Sequence, residues 1–272
     1  MSKLSKAWRR FYEHKFIRGT EPRSLNRWQQ AFCEWNSQRL AITPEESRRR
    51  FDNSWAALRG GHHGNSFRLF CDLTQHIHQV FYSNEPKEVF EAYQMHARLH
   101  SLRLLSIRVP EWPGYLPELQ PLFEKNKPLI LDFGCGMAQI PITLAMYLKT
   151  LGRSPGLFLA DIPTFRLDFL KWFCEQQGLP ATFAACTAER HIPLLPPCNL
   201  LVASEVFEHL HEPLKYLDVF DASIQPGGFL FANLDDHDPE YFHVSLDLSP
   251  VRQRLQDRGY QELRRRSLYQ KP

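Results

Sequence analysis

Apolar side chains recur along this chain with two different spacings, one in each part of the sequence. Through the first 108 residues they return every three to four positions, which is typical of amphipathic helices. Positions that show this spacing are Leu4, Trp8, Phe11, Tyr12 and Phe16, and then Leu25, Trp28, Phe32 and Trp35. We therefore predict a helical N-terminal region over residues 1–108.

One helix of this region carries clear start and stop signals. Thr43 can cap the helix, Pro44 suits its first turn, and Glu46 completes a capping box. The pair Gly60-Gly61 should end it. Further predicted elements are helices over 66–82 and about 86–107, and a proline-rich connector over 109–127.

From residue 128 onward, short apolar runs alternate with helix-like segments. Five strands are predicted, at 129–133, 156–161, 181–186, 199–205 and 227–234. A further helix at about 249–258 precedes one more strand within 261–269. This alternation predicts an α/β fold with a doubly wound, mostly parallel sheet, whose ligands lie beyond the carboxyl ends of the strands.

Charge is unevenly distributed although the net charge is only +3. Residues 1–60 contain thirteen Lys or Arg against six Asp or Glu, together with four of the six tryptophans. Basic residues interleaved with aromatics can bind nucleic acid or an acidic partner. The same pattern also fits a helical layer whose aromatics face inward, and the sequence leaves both interpretations open.

Cysteine and histidine positions point to no metal or disulfide framework. The six cysteines are scattered without a C-x-x-C pair, so we predict a reduced, cytoplasmic protein and assign no metal ligands. His96 and His100 lie four residues apart, but no third ligand is suggested. No run is apolar and long enough for a membrane span or a secretory signal, so no membrane partner is predicted.

A two-glycine turn follows the first predicted strand. Asp132 precedes Gly134 and Gly136, and Asp161 ends the second strand, 25 residues after Gly136. Glycines allow a ligand to approach the main chain, and an acid at the second position can accept the hydroxyls of a ribose. Gln139 stands where a dinucleotide fingerprint has its third glycine, so a different nucleoside ligand is favoured.

The segments LDFGCGMAQ, LADI, SEVFEHLHEP and QPGGFLFANL, in this order, resemble the class I S-adenosylmethionine-dependent methyltransferases over residues 128–272. The resemblance implies an enzyme that binds S-adenosylmethionine and releases S-adenosylhomocysteine. It implies that the turn Gly134-Cys135-Gly136 surrounds the methionine part of the cofactor, with Asp132 nearby. Asp161 is expected to hold the ribose hydroxyls.

The resemblance implies further cofactor contacts and shows departures from the family pattern. Ile162 is expected to lie against the adenine, the segment Cys186-Thr187-Ala188 to line its far side, and Glu205 to border the methionine part. Cys186 stands where the family often has an aspartate, and a thiol is a poor acceptor for the adenine amino group. Ala138 replaces a third glycine. The family ends in an antiparallel strand pair, whereas we predict only one good strand here.

SEVFEHLHEP follows the fourth strand, on the side of the transferable methyl group. His209 is one helical turn beyond Glu205, and we predict that it is the base for an oxygen acceptor; packing against the helix is the alternative. Glu208 is interpreted as structural. The segment lacks the Asn/Asp-Pro-Pro-aromatic and Pro-Cys signatures of enzymes that methylate base amines or pyrimidine carbon. Carboxylates at 235–240 could orient a cationic acceptor, bind magnesium, or form a solvated loop.

These features predict methyl transfer to a small or medium-sized, natural-product-like metabolite, most simply onto a hydroxyl or carboxylate oxygen. The expected partner is a small-molecule or short-peptide acceptor, with residues 1–108 as a lid. Two alternatives stay open. One is an RNA or protein methyltransferase that docks through the basic arm, and the other is a cofactor-binding scaffold without catalysis.

Overall fold

The computed structural model describes residues 27–60, 117–237 and 243–272. The chain divides into two compact units, Met1–Cys71 and Asp72–Pro272. The helices predicted at 66–82 and 86–107, most of the proline-rich connector and the predicted boundary at residue 108 lie outside the described residues. Among the described helices, none combines the length and apolar character that crossing a membrane requires.

The first unit contains helices α1 (Arg27–Leu40) and α2 (Pro44–Gly60), and the second helix has the predicted bounds. Thr43 caps α2, because its Oγ1 accepts a hydrogen bond from the Glu46 N–H at 3.1 Å. Trp35 is buried, with its ring centroid 5.6 Å from that of Phe32. The interpretation of inward-facing aromatics is therefore confirmed for Trp35, and Phe32 is half-buried beside it.

The second unit is built on one seven-stranded sheet in the order β3-β2-β1-β4-β5-β7-β6. Its strands are β1 (Leu129–Phe133), β2 (Gly156–Asp161), β3 (Ala181–Ala185), β4 (Cys198–Ala203), β5 (Ile224–Ala232), β6 (Gln261–Arg264) and β7 (Leu268–Gln270). Neighbouring strands from β3 through β5 are parallel, and β7 is antiparallel to both β5 and β6. The predicted mostly parallel sheet is confirmed.

Helices precede, connect and follow the parallel strands in the second unit. They are α3 (Gln120–Phe123), α4 (Gln139–Thr150), α5 (Phe165–Gln176), α6 (Pro213–Ser223) and α7 (Ser249–Asp257), with a short 3₁₀ turn at Phe207–His209. Every residue of β4 is buried, as expected for a central strand covered on both faces. Its side chains join the core with Phe220 of α6 and Val251 of α7.

The end of the chain differs from the prediction. The segment 261–269 is not one strand but a hairpin, in which β6 and β7 pair antiparallel around Arg265–Ser267. Arg266 adopts φ +54°, and its N–H donates to Glu262 Oε1 at 2.5 Å. This local hydrogen bond stabilises a turn without glycine or asparagine, and the sheet edge is complete.

Two strand starts also differ from the sequence analysis. Cys198 is the first residue of β4, one residue before the predicted start of this strand at 199. β5 begins at Ile224, three residues before the predicted Gly227. The register between β4 and β5 shifts between Cys198 and Leu200, so an irregular start precedes the regular pairing.

Candidate functional site

Five loops meet at the carboxyl edge of the parallel strands. β1 lies between β2 and β4, so the chain reverses its direction of winding there and opens a crevice above β1 and β4. The loops that follow β1 to β5 begin at Gly134, Ile162, Cys186, Ser204 and Asn233. All residues that the sequence analysis assigned to cofactor or catalysis lie on these loops or on the strand ends before them.

In the turn after β1, every second residue has a left-handed backbone conformation. Gly134 has φ +68°, Gly136 has φ +53° and Ala138, which begins α4, has φ +48°. A Cβ built on Gly134 would lie 2.8 Å from Val206 Cγ2, so this position has no room for a side chain. Ala138 shows that the third position tolerates a non-glycine residue in the same conformation.

Asp161 ties this turn to the end of β2. Its Oδ2 accepts the Gly136 N–H at 2.7 Å, and its Oδ1 accepts the Ile162 N–H at 2.7 Å. Burial raises the pKa of the Asp161 carboxyl, while Arg166 and these two N–H groups oppose the rise. Each carboxylate oxygen retains a second acceptor position, which suits the predicted contact with two ribose hydroxyls. That contact stays a prediction.

Asp132 is a buried acid close to the half-buried Asp161. Burial, together with the negative charge of Asp161, raises the pKa of the Asp132 carboxyl well above its ordinary value. A cationic group bound beside Asp132 would favour its ionised form. Cys135, between the glycines, is buried, and burial raises the pKa of its thiol.

The loop after β3 carries the residues predicted to line the adenine. The Cys186 N–H donates to the Asp161 carbonyl at 2.8 Å, so the two segments are joined through the backbone. Cys186 itself belongs to the hydrophobic core, and burial raises the pKa of its thiol to about 12. Thr187 and Ala188 are half-buried, and Thr187 closes a turn by exchanging backbone hydrogen bonds with Arg190.

Glu205 lies on the loop after β4 with φ +55°, which is uncommon for a residue other than glycine. Its Oε1 accepts the side-chain N–H of Asn233, at the end of β5, at 2.7 Å. The exposed Glu205 carboxylate is thereby positioned by the neighbouring strand at the sheet edge. Asn233 was not found in the sequence analysis, although it directly follows β5.

The 3₁₀ turn after β4 brings together an acid and two histidines. One ligand atom from each of Glu208, His209 and His243 lies within 4.8 Å of the other two. The distance from Glu208 Oε1 to His209 Nε2 is 3.8 Å. The Glu208 carboxyl is 0% exposed, and burial, followed by the charge of Glu205, raises its pKa to about 8. Sequence reasoning related His209 to Glu205 and missed His243, which lies 34 positions away.

In the described part of the acidic loop after β5, the carboxylates form ion pairs within the protein. Asp236 accepts two hydrogen bonds from Arg252, at 2.9 and 3.0 Å, and Asp235 pairs with Arg266 at 3.0 Å. The Arg252 hydrogen bonds hold the pKa of Asp236 below its ordinary value. These two carboxylates are therefore neutralised by arginines, which argues against their use for a metal or a cationic acceptor.

Parts of this chain are similar to known proteins. No protein-family model matches the chain. The chain is 27% identical over 117 residues to the ubiquinone biosynthesis O-methyltransferase of Dinoroseobacter shibae, which covers 43% of this chain and 45% of that protein. It is 26% identical over 133 residues to the ubiquinone biosynthesis O-methyltransferase of a Ruegeria species, over 49% of this chain and 51% of that protein. The chain thus spans about half the length of these curated relatives.

A solved S-adenosylmethionine-dependent methyltransferase from Clostridium acetobutylicum aligns with a TM-score of 0.41 at 14% identity, over 53% of this chain and 58% of that one. Within the second unit, the glycine turn follows β1, an acid ends β2, and the sheet closes with an antiparallel pair. By these features, the second unit has the class I methyltransferase fold. The resemblance stated from the sequence is confirmed in its fold.

The residues of this class I fold suit S-adenosylmethionine on two observations. The turn after β1 has left-handed backbone at Gly134 and Gly136, and main chain without a Cβ atom is the kind that a ligand can approach closely. The buried carboxyl of Asp132 would be stabilised in its ionised form by a positive charge, and this cofactor carries a sulfonium and an ammonium, while the half-buried Asp161 offers acceptor positions to the ribose hydroxyls. The residues that would hold it are the glycine turn, Asp132 and Asp161.

Proposed function

We propose that this chain is an S-adenosylmethionine-dependent methyltransferase that acts on an oxygen of a small or medium-sized metabolite. The observation that carries the proposal is the link between Asp161 and the glycine turn. Because Gly136 donates to Asp161 at 2.7 Å, the ribose-binding acid and the methionine-binding turn form one preorganised surface. The acceptor we propose is a small molecule or a short peptide.

Methyl transfer depends more on how the acceptor is positioned against the methyl group than on strongly acidic or basic side chains. When bound, the cofactor supplies a sulfonium methyl group: a carbon–oxygen bond forms, the carbon–sulfur bond breaks with its electron pair on sulfur, and a hydroxyl acceptor loses its proton. This chain's residues would hold the acceptor in line and receive or relay that proton. A carboxylate acceptor has no proton to lose.

Two observations support oxygen as the acceptor atom. The curated relatives are described as O-methyltransferases of ubiquinone biosynthesis, whose acceptors are therefore oxygens of a small molecule. In addition, His209 stands half-buried on the loop after β4, beside Glu208 and His243. A neutral imidazole at this edge can accept the proton of a hydroxyl, which is the base role predicted from the sequence.

Label transfer from methyl-labelled S-adenosylmethionine into an extract of the source cells tests this proposal. The full chain is incubated with the extract, and the products are separated by size with and without nuclease. We expect label in the small-molecule fraction. If the acceptor is a hydroxyl, the labelled product is a methyl ether and should release no methanol at high or at low pH. Label confined to nuclease-sensitive large material would contradict the metabolite proposal and favour RNA. Absence of label with intact cofactor binding would favour a scaffold.

A further inference from the structure

Asp132 is a buried acid whose carboxyl has no partner in the described part of the protein. It is 5% exposed and lies one residue before the end of β1, at the edge of the sheet where the glycine turn begins. No hydrogen bond or ion pair to this carboxyl occurs among the residues that the structure describes. Buried carboxylates are ordinarily paired or hydrogen-bonded, so the ionised form of Asp132 is costly in the ligand-free chain.

The backbone N–H groups that follow this acid are bound to other acceptors. Gly134 and Cys135 both donate to the Ala160 carbonyl, at 2.8 and 3.1 Å. Gly136 donates to Asp161 Oδ2 at 2.7 Å. These three donors of the glycine turn are therefore not available to a carboxylate on β1.

The titratable neighbours of Asp132 supply no positive charge either. At the end of β2, Asp161 is a second acid, and its charge disfavours ionisation of Asp132. Cys135 is a thiol, and burial raises its pKa well above the ordinary value, so it stays protonated. Arg166, on α5, opposes the rise in the pKa of Asp161 but not the rise in that of Asp132.

Strand β4 and helix α4, which also pack against β1, place no charge beside this acid. In the pairing of β1 with β4, Asp132 stands opposite Val202, which is apolar. The first charged residue of α4 is Lys149, in the last turn of the helix. Since none of the described residues places a positive charge beside Asp132, a bound ligand has to supply it.

We propose that Asp132 is protonated in the ligand-free chain at neutral pH and loses this proton when the ammonium group of the cofactor's methionine part binds beside it. The inference rests on the proposed methyltransferase function, which brings that ammonium to the turn after β1. In this step the carboxyl O–H bond breaks, its electron pair stays on Asp132, and the proton goes to solvent. The carboxylate and the bound ammonium then form an ion pair in the site.

This exchange makes cofactor binding depend on pH. Burial and the charge of Asp161 raise the pKa of the Asp132 carboxyl in the ligand-free chain, and a bound cation lowers it again. Because the ligand prefers the ionised form, its affinity rises with pH between the pKa of the bound and that of the ligand-free carboxyl, by up to about tenfold per pH unit. Outside this interval both states carry the same charge, and the affinity is constant.

Isothermal titration calorimetry of the full chain counts the exchanged proton. S-adenosylhomocysteine carries the ammonium, whereas 5′-methylthioadenosine lacks the whole amino acid part. Each is titrated at about pH 6.5, where an α-amino group is protonated, in phosphate and in imidazole buffer. These buffers differ strongly in ionisation enthalpy, so the difference in heat gives the number of protons released. Both ligands keep the ribose predicted to contact Asp161, so a proton released by Asp161 would be seen with both.

Asp132→Asn and Asp257→Asn are measured in the same way. Asp257 is an exposed acid at the end of α7, so its variant is the control for the loss of one carboxylate. With S-adenosylhomocysteine we expect release of about one proton by wild type and by Asp257→Asn, and almost none by Asp132→Asn or by wild type with 5′-methylthioadenosine. From about pH 5 to pH 7, the affinity of wild type for S-adenosylhomocysteine should rise at least about tenfold, whereas that of Asp132→Asn should stay within about twofold.

Equal proton release with the two ligands, or equal release by wild type and Asp132→Asn, would overturn the inference. Wild type that binds S-adenosylhomocysteine without releasing a proton would also overturn it and would leave the proposed function intact. Wild type that does not bind S-adenosylhomocysteine would refute the proposed function, and this inference with it. The comparison of the two ligands uses wild type alone, so it decides the question even if Asp132→Asn does not fold.

Discussion

Gly134→Ala tests whether the turn after β1 must be free of side chains for cofactor binding. Gly134 has φ +68°, and an added Cβ would lie 2.8 Å from Val206 Cγ2. The left-handed backbone alone costs about 1–2 kcal/mol for alanine. Overpacking against Val206 adds about 1–3 kcal/mol, since a methyl contact needs roughly 3.5 Å or more.

Gly152→Ala is the matched control. Gly152 follows α4, has φ +74°, and nothing lies within 4 Å of a Cβ built on it. It therefore carries the same backbone penalty without the clash and lies outside the carboxyl edge. Urea unfolding should show both variants destabilised, with Gly134→Ala lower than Gly152→Ala by about 1–3 kcal/mol.

The binding assay gives the decisive comparison. The clash at Gly134 must displace either the turn or the loop after β4, so we expect at least tenfold weaker S-adenosylhomocysteine binding by calorimetry, which is about 1.4 kcal/mol. Gly152→Ala should bind like wild type. The double variant Gly134→Ala/Val206→Ala removes the clash and should recover part of the affinity. Wild-type affinity in Gly134→Ala, or an equal loss in Gly152→Ala, would refute the reasoning.

Three further variants test the acids of the second unit. Asp161→Asn leaves only one oxygen for two backbone N–H donors, so S-adenosylhomocysteine affinity should fall about tenfold to a hundredfold in calorimetry, and an unchanged affinity would contradict the linkage. Burial tends to raise the pKa of Asp221, but hydrogen bonds from Tyr260 and Lys271 hold it below its ordinary value. The stability it provides is present above about pH 3.9 and is lost as pH falls through the lower folded pKa, so Asp221→Asn should cost about 1–3 kcal/mol in urea at pH 7 and less at pH 3. Asp132 has a raised pKa, so its favourable contribution is complete below about pH 3.9 and is lost as pH rises through the folded value. Asp132→Asn should therefore raise the urea midpoint of the ligand-free chain more at pH 8 than at pH 4, and the reverse order would show that the carboxyl is not under this strain.

The central sheet was predictable because each parallel strand is a short apolar run bounded by polar or turn residues. β4 is buried at every position, and its sequence is correspondingly apolar apart from Asn199. Asn199 uses its side chain to accept the Leu129 N–H at 2.9 Å, which compensates for its burial. In such strands composition and burial agree, so the sequence pattern and the structure coincide.

The final hairpin was not predictable from turn residues. Arg265–Ser267 contains no glycine, proline or asparagine, and Arg266 takes a positive φ that few arginines adopt. The Glu262 carboxylate that accepts the Arg266 N–H supplies the stability that the turn residues lack. Glu262 and Arg266 are only four residues apart, but their hydrogen bond forms in the hairpin that pairs β6 with β7, and the residue types alone do not indicate that turn.

The candidate site likewise contains residues that the sequence predicted and residues that it did not. The glycine turn and Asp161 were predicted because they are close in sequence to strand ends, where parallel sheets bind ligands. His243 carries no local signal, since it reaches Glu208 only through the hydrogen bonds of Val244 and Ser245 across the sheet edge. Conversely, Asp235 and Asp236 looked available for a metal in sequence, but distant arginines, Arg252 and Arg266, neutralise them.

Calorimetric titration of the full chain with S-adenosylhomocysteine, repeated in the presence of saturating NAD⁺, tests the central claim most directly. The account predicts one binding site per chain whose affinity is unaffected by NAD⁺, because the turn after β1 favours a sulfonium nucleoside over a dinucleotide. Binding of NAD⁺ in competition with S-adenosylhomocysteine, or no binding of S-adenosylhomocysteine at all, would contradict the assignment of this sheet edge to a methyl-donor cofactor.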